Sequence, residues 1–148
     1  MFSQTVEYAL RATVWLAQNE GAPQTTAEIA SATQVPAPYL SKCLQALGRA
    51  GLVHGSRGVG GGFGLSRGAA AVSVLDVVNA VDPIRRITAC PLGLTAHRVR
   101  LCPLHKKLDD AIATIETTFR TTSLADVLGT NTRHRPLCEL VEVAAAAR

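Results

Sequence analysis

The chain has 148 residues, 47% of them apolar and only 4% aromatic, with a formal net charge of +4. That length holds one domain with a sizeable core, or a small domain with an extended oligomerisation arm, and excludes two full enzymatic domains. No apolar run reaches the roughly 18 residues of a membrane span, and Glu7 and Arg11 stand where a secretion signal needs an uncharged core, so a cytoplasmic protein with no membrane partner is expected.

The prominence of alanine and leucine predicts a mostly α protein packed through small aliphatic side chains. Charge is unevenly placed. No acidic residue lies between Glu28 and Asp76, where Lys42, Arg49, Arg57 and Arg67 are found. A second acid-free stretch, from Arg85 to Lys107, holds Arg85, Arg86, Arg98, Arg100, Lys106 and Lys107. Such one-sided segments suit a polyanionic partner, although an ordinary solvated basic face would read the same on charge alone.

Residues 3–19 place Val6, Leu10, Val14 and Ala17 on one stripe and Ala9, Ala12 and Leu16 on a neighbouring one, with only Thr13 between them. This is an amphipathic helix that Asn19 and Gly21 end. Thr25 and Glu28 form a capping box that opens a short second helix to about Thr33. Val35-Pro36-Ala37-Pro38 breaks the chain, and a third helix starts near Pro38, because proline is tolerated only in a first turn. Leu40, Leu44 and Leu47 face its core side, Gly51 closes it, and Cys43 reads as a small core hydrophobe. The opposite face carries Tyr39, Ser41, Lys42, Gln45 and Arg49, residue types that contact phosphates and base edges in a major groove.

Leu52–His54 then predicts a strand, Phe63–Leu65 a return strand, and Arg57 to Leu65 (R-G-V-G-G-G-F-G-L) a glycine-rich tip. The tract does not satisfy the dinucleotide pattern G-x-G-x-x-G, since the third glycine position holds Phe63 counted from Gly58 and Leu65 counted from Gly60, and no G-K-[ST] follows. A phosphate-binding enzyme loop is thereby the weakest reading, behind a bland surface loop and a hairpin laid against a phosphate backbone. With two helices and a tight turn before it, the tip completes a winged helix-turn-helix over residues 1–82, a module for double-stranded DNA.

Val72–Val81 predicts a short helix capped by Ser73 and ended before Pro83. Residues 83–103 have no periodicity and form a cysteine-bearing loop. From Leu104 the pattern resumes with Leu108, Ile112, Ile115 and Phe119, a long C-terminal helix whose stripe needs a partner. The simplest partner is the same helix of a second chain, giving a homodimer; the alternative is packing onto its own domain. Ser123 caps a short end helix around Leu124, Val127 and Leu128 within the 104–130 segment, and residues 131–148 form a tail with weak order up to a segment from Leu137 to Ala147.

Four unevenly spaced cysteines, Cys43, Cys90, Cys102 and Cys138, suit free thiols, metal ligands or redox sensors better than structural disulfides. A thiol- or metal-dependent enzyme is a competing reading. Against it, no H-E-x-x-H or nucleophile–base signature occurs, and Asp109 and Asp110 are adjacent and point to different helix faces. A purely structural partner-binding module would have no need of an acid-free stretch from Ile29 to Leu75.

Five ordered motifs, E-Y-A-L-R-A (Glu7–Ala12), Y-L-S-K-C-L-Q-A-L (Tyr39–Leu47), A-G-L-V (Ala50–Val53), R-G-V-G-G-G-F (Arg57–Phe63) and L-C-P-L-H (Leu101–His105), are found in this order. In these the chain, over about residues 1–130, resembles the winged-helix regulators typified by the iron-sulfur cluster regulator and the nitric-oxide-sensitive repressor. The resemblance implies a homodimeric transcriptional regulator, a repressor of redox-, nitric-oxide- or iron-sulfur-responsive kind, with a helix crossing between protomers. It puts Arg57 in the minor groove and Ser41 and Lys42 among the base-reading positions, with Pro36 and Pro38 departing from relatives that carry hydroxyl residues there.

The resemblance also implies an iron-sulfur cluster held by three cysteines and a histidine three positions after the last. Cys90, Cys102 and His105 match, whereas Ala96 stands at the middle cysteine position. Four protein ligands is the usual count, so a fourth is needed: Glu7, reaching over from the first helix of a partner chain as in some members, or His97. Two other readings of the loop stay open. One is a metal-free thiol sensor, activated by Arg98, Arg100, Lys106 and Lys107; the other is inert cysteines in a ligand-gated regulator.

Overall fold

The computed structural model describes residues 2–97, 99–129 and 136–137. Their order is α1 (Gln4–Gln18), α2 (Thr26–Thr33), α3 (Ala37–Arg49), β1 (Val53–Ser56), β2 (Gly62–Leu65), α4 (Val74–Val81), α5 (Pro103–Thr121) and α6 (Leu124–Leu128), with single 3-10 turns at Ala69–Ala71 and Thr95–His97. The mostly helical class and the two-stranded wing follow the expectation.

Local chemistry sets the boundaries. The Ser3 hydroxyl accepts from the Val6 amide at the start of α1, and Gly21, at φ +80°, turns the chain after Asn19. Val6, Ala9, Ala12, Val14, Leu16 and Ala17 are all buried, so α1 is the central helix, touching α2, α3, α4, α6 and β2. Thr13 is fully buried as well, and its hydroxyl donates to the Ala9 carbonyl at 3.0 Å, so the core polar group is satisfied.

The capping box of α2 is reciprocal, with Glu28 N to Thr25 Oγ1 at 3.2 Å and Thr25 N to Glu28 Oε2 at 2.8 Å. Gln34, at φ 55°, makes the left-handed turn into α3. That helix begins at Ala37, one residue before the expected start, with Pro36 as its cap and Pro38 inside the first turn, where no amide is missed. Leu40, Cys43, Leu44 and Leu47 are buried; Cys43 sits in the core as read, and burial raises its thiol pKa.

The hairpin pairs Val53 with Leu65 through Ser56 with Gly62. Strand β1 starts at Val53 and not Leu52, because Leu52, 2% exposed, turns into the core after Gly51 at φ +71°. Helix α4 starts at Val74 and not Val72 for a tertiary reason. Val74 N donates to Thr122 O and Leu124 N to Val72 O, both at 2.8 Å, an antiparallel bridge about Ser73 and Ser123. Each serine also heads a capping box, with Asp76 and Asp126. The bridge seats α6 on the winged domain, with Leu124 fully buried in the same core as α1 and α3.

Along α5 the apolar stripe is buried unevenly. Leu104 is 65% and Leu108 48% exposed, Ile112 and Ile115 are half-buried against the α1–α4 side, and the Phe119 ring lies 5.3 Å from that of Phe2. No helix among the described residues is long and apolar enough to cross a membrane. Of the tail, the Pro136 carbonyl accepts from Gln18 Nε2 at 2.9 Å and Leu137 packs on the core; Cys138 and the rest of the segment to Ala147 lie outside the described residues.

Candidate nucleic-acid interface and cysteine loop

Helix α3 buries one side and leaves Tyr39, Ser41, Lys42, Gln45 and Arg49 exposed on the other. The Tyr39 ring lies 6.0 Å from the ring of Tyr8 on α1, and Lys42 Nζ stands 5.9 Å from the Tyr39 centroid. Tyr8 therefore steadies the first turn of the exposed face, and Lys42 gains a cation–π contact that leaves its charge at the surface. Tyr8 falls inside the E-Y-A-L-R-A motif, but helical periodicity assigns it no contact with α3.

Arg57 is exposed at the start of the tip, and Val59 is fully exposed at its end. The glycines serve two ends. Gly58 and Gly60 hold φ of +93° and +75° in open space, which makes the turn. Gly61 and Gly62 are there for room: a Cβ on Gly61 would come within 2.5 Å of the Ser56 carbonyl oxygen, and one on Gly62 within 2.7 Å of the Gln24 backbone. Gln24 exchanges two backbone hydrogen bonds with Phe63, at 2.9 and 2.7 Å, and its side chain accepts from Trp15 Nε1 at 3.1 Å. The wing is thereby fastened to α1 through Gln24, just ahead of the Thr25 cap of α2. Pairing across so long a stretch of sequence leaves no local signal, and sequence reading missed Gln24.

The cysteine loop is tied to α5 by a second arrangement that sequence reading missed. Arg86 donates from Nε and Nη2 to the two oxygens of Asp109, at 2.7 and 2.6 Å, and Ile87 N donates to Asp109 Oδ1 at 2.9 Å. The Arg86 hydrogen bond, against the cost of burial, lowers the Asp109 pKa to about 2. Arg86 also reaches Glu116 at 3.7 Å. Asp110, next in sequence, faces the other way and pairs with Lys106.

The predicted ligands form pairs. Cys102 Sγ and His105 Nδ1 are 3.3 Å apart at the first turn of α5. Cys90 lies beside the His97 ring, which, with backbone hydrogen bonds from Leu94 and Leu92, lowers its thiol pKa. The Glu7 carboxylate is engaged by Arg11 Nε at 2.9 Å. Among the described residues no three His, Cys, Asp or Glu side chains stand close enough to hold a metal ion.

Helix-turn-helix, wing and returning long helix together have counterparts among known proteins. A protein of Aquifex aeolicus described as an HTH-type transcriptional regulator is 27% identical over 137 residues, which cover 90% of this chain and 95% of the relative. The structure of T. potens IscR superposes with a TM-score of 0.72 at 25% identity, covering 86% of this chain and 85% of that one. CymR (YrzC), the global cysteine regulator of B. subtilis, shares the fold with a TM-score of 0.70 at 22% identity, over 84% of this chain and 92% of that one. The family model described as Rrf2, iron-dependent transcriptional regulator, matches residues 2–130, so the chain belongs to the Rrf2 family and is a transcriptional regulator, not an enzyme.

Proposed function

We propose that the protein is a homodimeric, cytoplasmic DNA-binding repressor whose cysteine loop senses redox state, nitric oxide or iron-sulfur supply. The exposed, acid-free face of α3 carries this reading: Tyr39, Ser41, Lys42 and Gln45 enter the major groove, and Arg57 on the wing reaches the adjoining minor groove or its phosphates. Leu104 and Leu108 supply the contact between copies, since an apolar stripe left this open on a helix suits the same helix of a second chain.

The loop's donors suit an iron-sulfur group: thiolates from Cys90 and Cys102, imidazole from His105, and a buried His97 ring nitrogen that has no hydrogen-bond partner among the described residues. Bound there, the group would supply reversible redox chemistry and a reaction site for nitric oxide. The protein's part is to fix the ligands to α5, which Asp109 does through Arg86 and Ile87. The lowered pKa of Cys90, held down by His97, favours a second reading, a metal-free thiol sensor.

Retardation of promoter fragments, the protein's own upstream region included, tests the DNA reading: a salt-sensitive complex is expected, and failure to retard any fragment at low salt refutes it. Loss of the complex on nitric oxide or peroxide treatment of purified protein is expected from the sensing reading, and an unchanged complex counts against it.

A further inference from the structure

At the root of the wing lies a cleft that takes no part in the proposed groove contacts. It has a volume of about 370 Å³ and is enclosed by the turn from α1 to α2 (residues 19–23), His54 on β1 and residues 64–68. Ligand pockets span about 300–1,000 Å³, so it suits a small molecule. Part of its wall is bare backbone. The His54 ring lies over Gly64, where an added Cβ would come within 3.2 Å of it, and a Cβ on Gly68 would lie 3.9 Å from Glu20 Oε1. The frame around the cleft is held by hydrogen bonds. Ala22 N donates to Asn19 O at 3.1 Å and Ser66 N to Leu52 O at 3.0 Å, and the two bonds between Gln24 and Phe63 join the turn to the hairpin.

Glu20 enters the cleft from the turn and Arg67 from the wing's return, yet no ion pair joins them. The Glu20 carboxylate accepts from the Ala69 amide, which keeps it from swinging across to Arg67. Opposite charges that line one cleft without meeting fit a molecule that carries both complements. The Arg67 fork matches a carboxylate, and Glu20 matches an ammonium, each through charge-assisted hydrogen bonds of about 2.7–2.9 Å. Ala22, Pro23 and Leu65, also in the lining, offer apolar surface to a short aliphatic side chain.

We infer that this cleft binds a small zwitterion of the α-amino-acid class, with its carboxylate on Arg67 and its ammonium on Glu20. The site does not depend on the cysteine loop. Its effect on DNA does rest on the regulator reading: a ligand carboxylate on Arg67 must be displaced before that cation can neutralise a phosphate. Bound ligand therefore weakens DNA binding, and DNA weakens ligand binding by the same factor.

Nuclear magnetic resonance titration of ¹⁵N-labelled full-length protein with L-alanine tests the site, with propionate and ethylamine as the same molecule lacking one charge each. Taken to about 50 mM, past the millimolar range of a weak site, L-alanine should give saturable shifts of the Gly21, Gly64 and Gly68 amides. Propionate and ethylamine should bind about ten-fold more weakly or worse. Glu20→Gln keeps an acceptor for the Ala69 amide and removes only the charge, and it should weaken L-alanine binding about ten-fold or more, as should Arg67→Gln. The inference is overturned if L-alanine shifts none of these amides, if propionate binds as tightly, or if both variants bind as wild type does. Retardation of promoter fragments by wild type should weaken as L-alanine saturates the site; an undisturbed complex overturns the withdrawal of Arg67 from DNA while the site stands. If no fragment is retarded without L-alanine, the regulator reading falls and the amide shifts alone judge the site.

Discussion

Gly60 and Gly62 are two residues apart in one tract, yet alanine should have very different effects at the two positions. Gly60 has φ +75° and nothing within 4 Å of an added Cβ, so Gly60→Ala meets backbone strain alone, about 1–2 kcal/mol. At Gly62, φ is +155° and the Cβ would lie 2.7 Å from both the carbonyl carbon and oxygen of Gln24. Backbone cannot give way as a flexible side chain does. Relief requires β2 to move off Gln24 and surrender the two hydrogen bonds between Gln24 and Phe63, each worth about 0.5–1.5 kcal/mol net. Adding the strain gives about 2–5 kcal/mol for Gly62→Ala. Urea unfolding measures the stability difference, and retardation of a cognate DNA fragment measures the wing's contribution to binding. The expected result is a modest stability loss for Gly60→Ala, and for Gly62→Ala a larger one with a clear drop in DNA affinity. Equal losses, or a Gly62→Ala protein as stable as wild type, would refute the account of the wing as clamped through Gln24.

If Arg57 makes one phosphate contact per protomer of the proposed dimer, Arg57→Ala should make the slope of log affinity against log salt shallower by about 1.8, or about 12-fold over a four-fold salt change; an unchanged slope removes Arg57 from the interface. Leu104→Glu should shift the protein toward monomer in analytical ultracentrifugation, because the charge would be desolvated in the α5 contact; an undisturbed dimer places the interface elsewhere. The Asp109 pKa is about 2 in the folded protein, below the ordinary carboxylate value, so its pairing stabilises fully above about pH 4 and fades as pH falls toward 2. Asp109→Asn should therefore be less stable than wild type at neutral pH, and denaturation curves should show the difference shrinking between pH 4 and 2; a constant difference counts against the pairing.

Elements with local signals were legible in the sequence. The capping box at Thr25 and Glu28 and the Ser123 cap mark their own helix starts, and the leucine spacing of α3 separates its buried face from its exposed one. What sequence missed were pairings between distant segments. Val72 looks like the start of a helix until Leu124 engages its carbonyl, and Gln24 looks like loop until Phe63 meets it. Asp109 and Asp110 are alike in sequence, but one turns inward to Arg86 and the other outward to Lys106, a difference fixed by where the 83–103 loop returns to α5. The candidate ligands were found by residue type and the Cys102–His105 pair by its spacing on one helical turn, whereas the meeting of Cys90 with His97 depends on the 3-10 turn at Thr95–His97 and was not legible.

The placement of carboxylates explains how a chain of only modest net charge offers DNA a strongly basic surface. Most carboxylates among the described residues are engaged within the fold. Glu7 holds Arg11, Glu20 accepts from the Ala69 amide, Glu28, Asp76 and Asp126 cap helices, and Asp109, Asp110 and Glu116 bind cations along α5. By contrast, Lys42, Arg49, Arg57 and Arg67 form no ion pair among the described residues. A cation already paired must break that pair before it can neutralise a phosphate, so its gain on binding is reduced by what it gives up. Unpaired cations on α3, the tip and the wing's return meet no such loss. Leaving carboxylates out of residues 29–75 therefore keeps the existing charges free on the helix and wing that, in the proposed binding mode, face the duplex.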